Sequence, residues 1–217
     1  MKALQIKLYQ ETASYTKPFA YKVGETYPLP PYSTVIGMLH RLLKADAYHE
    51  MKVSIQGTYE DKCIDYRSSY LYKGKELGKS PLNIHLLYGV HLLLHIHADE
   101  GLLDQIDGQF KQNQEFLSLG RKEDLVRLDE VKWVGIERED ADQHHTLLHD
   151  IYVPVYYLQN EDTSGIRYNL NSKYQVINGM RVWEKVPVLY LTEGDHLEEE
   201  QYWRDEEGNV VYFHTPL

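Results

Sequence analysis

The sequence predicts an α+β fold: a ferredoxin-like βαββαβ domain with an inserted β-hairpin arm, followed by a small antiparallel β lobe. Two segments with helical apolar spacing, near 33–46 and 99–110, lie among segments that alternate apolar and polar residues. Between the helices, residues 58–85 are basic, aromatic and too long for a simple connection. From residue 151 onward the chain reads as strands. The expected division is therefore 1–137, carrying the arm at 58–85, and 138–217.

Each element has its own signature. Residues 2–11 place Leu4, Ile6 and Leu8 on one face, which predicts a half-buried strand. Residues 12–31 have no period. Pro30 and Pro31 hold the chain extended, Ser33 is the expected N-cap, and Val35, Ile36, Leu39, Leu42 and Leu43 form the stripe of a helix at 33–46. Gly37 sits inside that helix, where glycine costs about 1 kcal/mol relative to alanine. Two compensations are open: close packing against the sheet, or a polymer backbone passing the first helical turn.

Residues 51–57 alternate as a second strand. The arm ends in turn chemistry at Lys73-Gly74-Lys75, Leu77-Gly78-Lys79 and Ser80-Pro81, before strands at 83–88 and 90–97. Asp99 caps a helix whose buried side is Leu102, Leu103, Ile106 and Phe110, with acids in its early turns. A strand at 125–137 closes the set. Residues 138–150 read as a loop, followed by strands at 151–158, 165–170, 173–177 and 181–191 and a hairpin around Glu207-Gly208-Asn209. The RNA-recognition motif uses this β-α-β-β-α-β order, but topology alone does not assign RNA binding.

Composition narrows the function. Nineteen tyrosines against four phenylalanines favour side chains with a flat face and a polar tip, suited to interfaces and base stacking as well as to half-buried strands. A lone cysteine, Cys63, excludes an intramolecular disulfide and a cysteine-based zinc site. Alternation from Ala3 and the lack of a long apolar run predict a cytoplasmic chain with no membrane partner. The net charge of −10 is uneven: residues 1–122 carry a balance of +2 and residues 123–217 one of −12. An RNA site belongs in the N-terminal half, and the acidic half is a solvated face or one that meets a basic neighbour.

Candidate binding residues fall in three places. The loop and first helix offer Tyr15, Lys17, Tyr21, Lys22, Tyr27, Pro31, Ser33, Thr34 and Gly37, with Arg41 and Lys44 off the apolar stripe. Aromatics interleaved with cations suit stacking and phosphate contact, and a helix N-terminus presents free amides to a phosphate. The arm adds Arg67, Lys73 and Lys75, and the turn Gly120-Arg121-Lys122 adds a fork for phosphate or a base. An ordinary surface loop and a tight helix-to-strand turn with an exposed arginine are the simpler readings.

Histidines raise catalysis. His91, His95 and His97 share one strand face, and His144, His145 and His149 cluster later, without the frame of a metal site; no metal or cofactor is expected. Metal-free RNA cleavage needs a base, an acid and a cation, and His40, Lys44, Tyr48 and His49 are close enough in sequence to be considered.

Tyr27-Pro28-Leu29-Pro30-Pro31-Tyr32-Ser33-Thr34 before a Gly-containing helix, in a chain opening with a strand, resembles the CRISPR-associated RAMP proteins. The later segment Phe116-Leu117-Ser118-Leu119-Gly120-Arg121-Lys122-Glu123-Asp124 strengthens the likeness, which anchors residues 1 to about 135. It is similar to the subunit that caps the 5′ end of the guide RNA in type I Cascade, most like the type I-B branch. The resemblance implies a non-catalytic subunit in antiviral defence that holds the crRNA 5′ handle. It also implies partnership with the repeated Cascade backbone subunit and the large subunit, and with target DNA through the assembled complex. Some type I-C relatives process the guide precursor with a Tyr, Lys and His set that includes adjacent Lys and His; this chain has no Lys-His dipeptide. A protein-interaction module without nucleic-acid contact is the third reading.

Overall fold

The computed structural model describes residues 1–18, 20, 23–74, 76–140, 145–158, 163–197 and 201–215. In order, the elements are β1 (Lys2–Ala13), β2 (Tyr15–Thr16), β3 (Val23–Gly24), β4 (Thr26–Tyr27), α1 (Tyr32–Leu42), β5 (Lys52–Thr58), β6 (Asp61–Lys73) and β7 (Glu76–His97). There follow α2 (Glu100–Gln112), β8 (Arg127–Asp140), β9 (His145–Thr146), β10 (Asp150–Pro154), a 3₁₀ turn (Val155–Tyr157), β11 (Ile166–Ile177), β12 (Met180–Leu191), β13 (His196–Leu197) and β14 (Gln201–Asp205). The fold is α+β: mostly antiparallel sheet with two α-helices among the described residues.

The main sheet runs β11-β12-β10-β5-β7-β1-β8-β14. Its centre, β8-β1-β7-β5, is antiparallel throughout. Alternation gives this sheet two faces. Leu4, Ile6 and Leu8 of β1 pack with Val35, Leu39 and Leu42 of α1 and Leu103, Ile106 and Phe110 of α2 in the largest apolar cluster. On the opposite face, Ala3, Val134 and Ile136 meet Val211 and Phe213. The chain after β14 lies over this second face, where Gln56 donates to the Val210 carbonyl (2.6 Å) and the Tyr212 amide donates to Ser54 (3.1 Å).

Both helices form where their apolar stripes require. Asp99 caps α2 by accepting from the Gly101 amide at 3.1 Å. The start of α1 differs from expectation: Pro31 is the N-cap, without a side-chain hydrogen bond, and Ser33 lies inside the first turn. The extended Pro31 accepts from the Thr34 amide (2.9 Å), which leaves Ser33 free of the capping role. The helix ends at Leu42, and Lys44 turns the chain with φ 52°.

The arm is continuous with the sheet. β5 and β6 pair with β7 in one unbroken register, from Lys52↔His97 through Thr58↔His91 and Asp61↔Tyr88 to Lys73↔Glu76. The expected separate strands at 83–88 and 90–97 are parts of β7. Leu77-Gly78-Lys79 and Ser80-Pro81 lie within that strand, and the reversal is at Gly74, φ 62°. Beyond Leu82 the hairpin strands pair only with each other among the described residues, a reach of roughly 20 Å at about 3.3 Å per residue.

The C-terminal third is antiparallel, as expected, but its strands hydrogen-bond to both edges of the N-terminal sheet. β10 pairs with β5 on one side and β14 with β8 on the other. Tyr152, Leu170, Val188 and Tyr190 join the same apolar cluster as α1 and β1. The expected strands at 165–170 and 173–177 are one, β11, with a register shift between Asn171 and Tyr174.

Candidate nucleic-acid interface

Three segments that are far apart in sequence meet at one end of the central sheet. β2 and β4 pair as Tyr15↔Tyr27 and Thr16↔Thr26, closing the loop after β1. β3 runs parallel to β7 beside the arm root, Val23↔Asn83 and Gly24↔Ile84. The turn at Gly120 (φ 106°) backs onto the end of β1, where an added Cβ would fall 3.0 Å from the Ser14 carbonyl and 3.3 Å from the Tyr15 ring. Arg67 on the arm forms an ion pair with Glu123 of the Gly120 loop.

Buried hydrogen bonds fix this end. The Asp124 carboxylate is fully buried and accepts from the Ser14 amide (3.0 Å) and the Arg121 amide (2.8 Å). Gln10 donates to the carbonyls of Leu119 (2.9 Å) and Asp124 (3.0 Å) and accepts from the Tyr15 hydroxyl (2.6 Å). Burial, then the Asp124 charge, push the Tyr15 phenol well up, so it stays a neutral donor. Tyr15 is thus a core residue that shapes the loop rather than a stacking face.

Arg121 is likewise engaged. Its guanidinium grips Asp124 through Nε (3.0 Å) and Nη2 (2.5 Å), and Nη1 lies 3.5 Å from Glu123. A bidentate grip on a buried carboxylate holds the fork inward, and Lys122 beside it is exposed. An Arg-x-x-Asp spacing across a glycine turn is the sequence signal for this closure.

The other loop residues form a cation–aromatic cluster. Lys17 Nζ lies 5.9 Å from the Tyr27 ring centre, 5.4 Å from that of Tyr168, and 3.2 Å from a Glu25 oxygen. That contact with Lys17 holds the Glu25 carboxyl below its ordinary value. Tyr27 is buried against Tyr168 edge-on at 5.3 Å. Pro31 is buried, Ser33 and Thr34 are half-buried in the first turn of α1, and Gly37 is exposed. A Cβ on Gly37 would meet no described atom within 4 Å, so packing against the sheet does not account for that glycine. Arg41 and Lys44 lie towards the other end of α1, 3.9 and 3.7 Å from Glu115, in exposed pairs worth little. Tyr21, Lys22, Lys75 and the Lys73 side chain lie outside the described residues.

The arm carries residues that the sequence reading did not single out. Ile64, Tyr66, Tyr70 and Tyr72 alternate onto one face of β6, with Leu77 opposite Tyr72, and all five are exposed. Their even spacing was the available signal. The histidines go elsewhere. His95 is buried, with Nε2 2.9 Å from Asp205, and His97 Nδ1 lies 2.8 Å from the Lys2 carbonyl. Burial alone would raise the Asp205 carboxyl, but hydrogen bonds with His95 and Asn209 outweigh it and hold the group well below the carboxylate range. Among the described residues no three metal-ligating side chains gather. His144 and the His145 side chain lie outside the described residues. His40 is held at both nitrogens: Nδ1 lies 2.8 Å from the Ile36 carbonyl and Nε2 accepts from the His49 amide at 2.8 Å. Among the described residues no helix is long and apolar enough to cross a membrane.

Two solved structures share this architecture. A chain of a CRISPR RNA-guided surveillance complex superposes with a TM-score of 0.58 at 15% identity, covering 89% of this chain and 91% of that one. A CRISPR protein from Archaeoglobus fulgidus superposes with a TM-score of 0.51 at 15% identity, covering 97% and 98%. Among curated proteins none matches. Fold and sequence together define a RAMP-like CRISPR-associated subunit. Residues 3–181 match the family described as CRISPR-associated protein (Cas_Cas5), and the chain belongs to that Cas5 family.

Proposed function

We propose that the chain is a non-catalytic subunit of a type I Cascade effector, nearest the type I-B branch, which holds the 5′ handle of the crRNA and caps the backbone of the complex. The observation that carries this is the convergence of the loop after β1, the root of the arm and the Gly120 turn at one end of the sheet. The order β8-β1-β7-β5, with helices packed on one face, supports a ferredoxin-like core.

Ser33 and Thr34 in the first turn of α1, with Gly37 in the next, present the start of the helix to a phosphate backbone. Lys17, in the cation–aromatic cluster of the loop, and exposed Lys122, on the Gly120 turn, supply charge, while Arg121 and Asp124 keep that turn in shape. Lys22, Lys73 and Lys75 belong to the same basic loop and arm tip in sequence. The arm's aromatic face meets the adjacent backbone subunit, and the large subunit docks nearby. Target sequence is read by base pairing, as in another guide-dependent effector class.

The handle-forming endoribonuclease of the same superfamily is the rival reading. It requires a free base, and the Nε2 lone pair of His40 already accepts from His49, which supports the non-catalytic role. The test is to tag the protein in its host, purify it at low salt, treat with nuclease and sequence the protected RNA. Guides sharing one repeat-derived 5′ end, lost as salt rises, are expected. A random population or no protected RNA would sink the proposal. Metal-free cleavage of repeat RNA, abolished in His40→Ala, would replace it with the nuclease.

A further inference from the structure

A groove of about 390 Å³ opens between α1 and the β11–β12 hairpin. It adjoins the start of α1 described above and shares Ser33 and Gly37 with it. Its walls are two aromatic pairs from distant parts of the chain. On one side Tyr48 stacks on His40, ring centres 5.3 Å apart and planes 20° from parallel. On the other, Tyr174 and Trp183 face each other across the hairpin, 5.0 Å apart at 60°. All three larger rings keep access to solvent, at 48%, 44% and 36%. The helix side of the groove includes Gly37, whose missing side chain leaves room that no neighbour fills.

The charges are placed for an anion beside a flat ring. Lys173 lies in the lining and is 3.5 Å from Glu184, an exposed partner that a phosphate can displace. The Arg181 guanidinium sits 4.7 Å from the Tyr174 ring centre, two residues from Trp183 towards the hairpin tip. Asp46 is the acid of the lining and keeps a phosphate towards Lys173. A second cavity of about 230 Å³ shares Tyr48, Ser172 and Lys173 with the first, so Tyr48 and Lys173 border two adjoining spaces. Accessible π faces, a neighbouring cation and an open backbone beside them are what single-stranded nucleic acid needs, because every base has a face to stack.

We infer that the groove between α1 and the β11–β12 hairpin is a nucleobase-binding subsite for single-stranded RNA, walled by Tyr48, Tyr174 and Trp183. The inference rests on the RNA-binding reading above and extends it to a face formed by the C-terminal third. The acidic half of the chain then touches RNA through stacking, with Lys173 as its cation. The polymer that accounts for Gly37 continues from the first turn of α1 into this groove.

The test uses the full chain with a repeat-sequence oligoribonucleotide carrying 5-iodouridine at successive positions, since photolysis joins that base to an aromatic ring stacked on it. The expected result is a crosslink, located by peptide mass spectrometry, at Tyr48, Tyr174 or Trp183 for one or two adjacent positions. The double variant Tyr174→Ala/Trp183→Ala should lose that crosslink and weaken binding on the order of tenfold per lost stack. Gly37→Leu fills the groove from an exposed helical position without removing a wall, and should lose the same crosslink while remaining folded. Crosslinks confined to the arm or the loop before α1 would overturn the subsite and leave the RNA reading standing. Absence of any crosslink together with absence of salt-sensitive binding would overturn both.

Discussion

Tyr32 and His214 stack in the core, ring centres 4.8 Å apart with 26° between their planes, although 182 positions separate them in the chain. Tyr32 opens α1, and His214 ends the segment that crosses the opposite face of the sheet. The imidazole also completes a ladder. Its Nδ1 accepts from the Val53 amide at 3.0 Å, while its own amide donates to the Val53 carbonyl at 3.0 Å. One side chain therefore stands in for a missing carbonyl, and only the neutral tautomer with an unprotonated Nδ1 can do so.

The pH dependence follows from that tautomer. Burial pushes the His214 imidazole down to about 4. Between the ordinary value near 6.5 and about 4, the unfolded chain binds the proton and the folded chain does not. Stability is full above pH 6.5 and is lost as pH falls towards 4, by on the order of 3 kcal/mol. Burial lowers His149 too, which adds in the same direction. Denaturant melts at a series of pH values, wild type against His214→Gln, should show the slope flattened in the variant. Parallel curves would refute the assignment.

Gly37→Ala should stabilise the isolated chain by about 0.5–1 kcal/mol, because the position is helical, exposed and open around its missing Cβ. Thermal melts check it. A loss of stability would mean that something within the chain does need glycine there.

Asp124 and Lys122 separate folding from binding. Asp124→Ala leaves the Ser14 and Arg121 amides and a largely covered guanidinium without their acceptor, and should cost about 3 kcal/mol or more. Lys122→Glu, on an exposed side chain, should leave the melting temperature within a degree or two and weaken RNA retention several-fold. Reversing Arg121 together with Lys122 would mix the two effects. Melting curves and salt-dependent RNA binding, run on each single variant, distinguish them.

Replacing residues 68–81 by Asn-Gly should leave the sheet folded, since the hairpin beyond Leu82 pairs only with itself among the described residues. Circular dichroism should be native-like, with co-purification of neighbouring subunits lost. Intact assembly would remove the arm from the proposed docking role.

The helices and central strands were legible because each sets an apolar face against the main core and so has a period in its residues, although the chain after β14 also buries the other face of β1 and β5. Val35 to Leu42 and Leu102 to Phe110 lie in the core as their spacing predicted. The arm defeated that logic. Outside the sheet neither face of β6 and β7 is buried, so Gly78 and Pro81 read as punctuation when they occupy a strand that tolerates them. Arg121 was visible as a turn residue, but its partner, three positions on, decides which way the fork points. The joining of β10 to β5 and β14 to β8 is a choice of edge, and nothing local in residues 150–205 encodes it. Tyr174 and Trp183 face Tyr48 across one groove only because that choice brings the C-terminal hairpin back over α1.

The unbroken register from Lys52↔His97 to Lys73↔Glu76 makes the arm an adjustable ruler. Two residues added to each strand at matched positions lengthen it by about 6.6 Å, leave every core pairing intact and keep each side chain beyond them on its own face. A residue added to one strand alone turns the side chains beyond it onto the other face, so that Tyr70 and Tyr72 would trade places with Leu71. The gauge between this subunit and whatever the tip touches can therefore drift in paired steps while the domain beneath it stays the same.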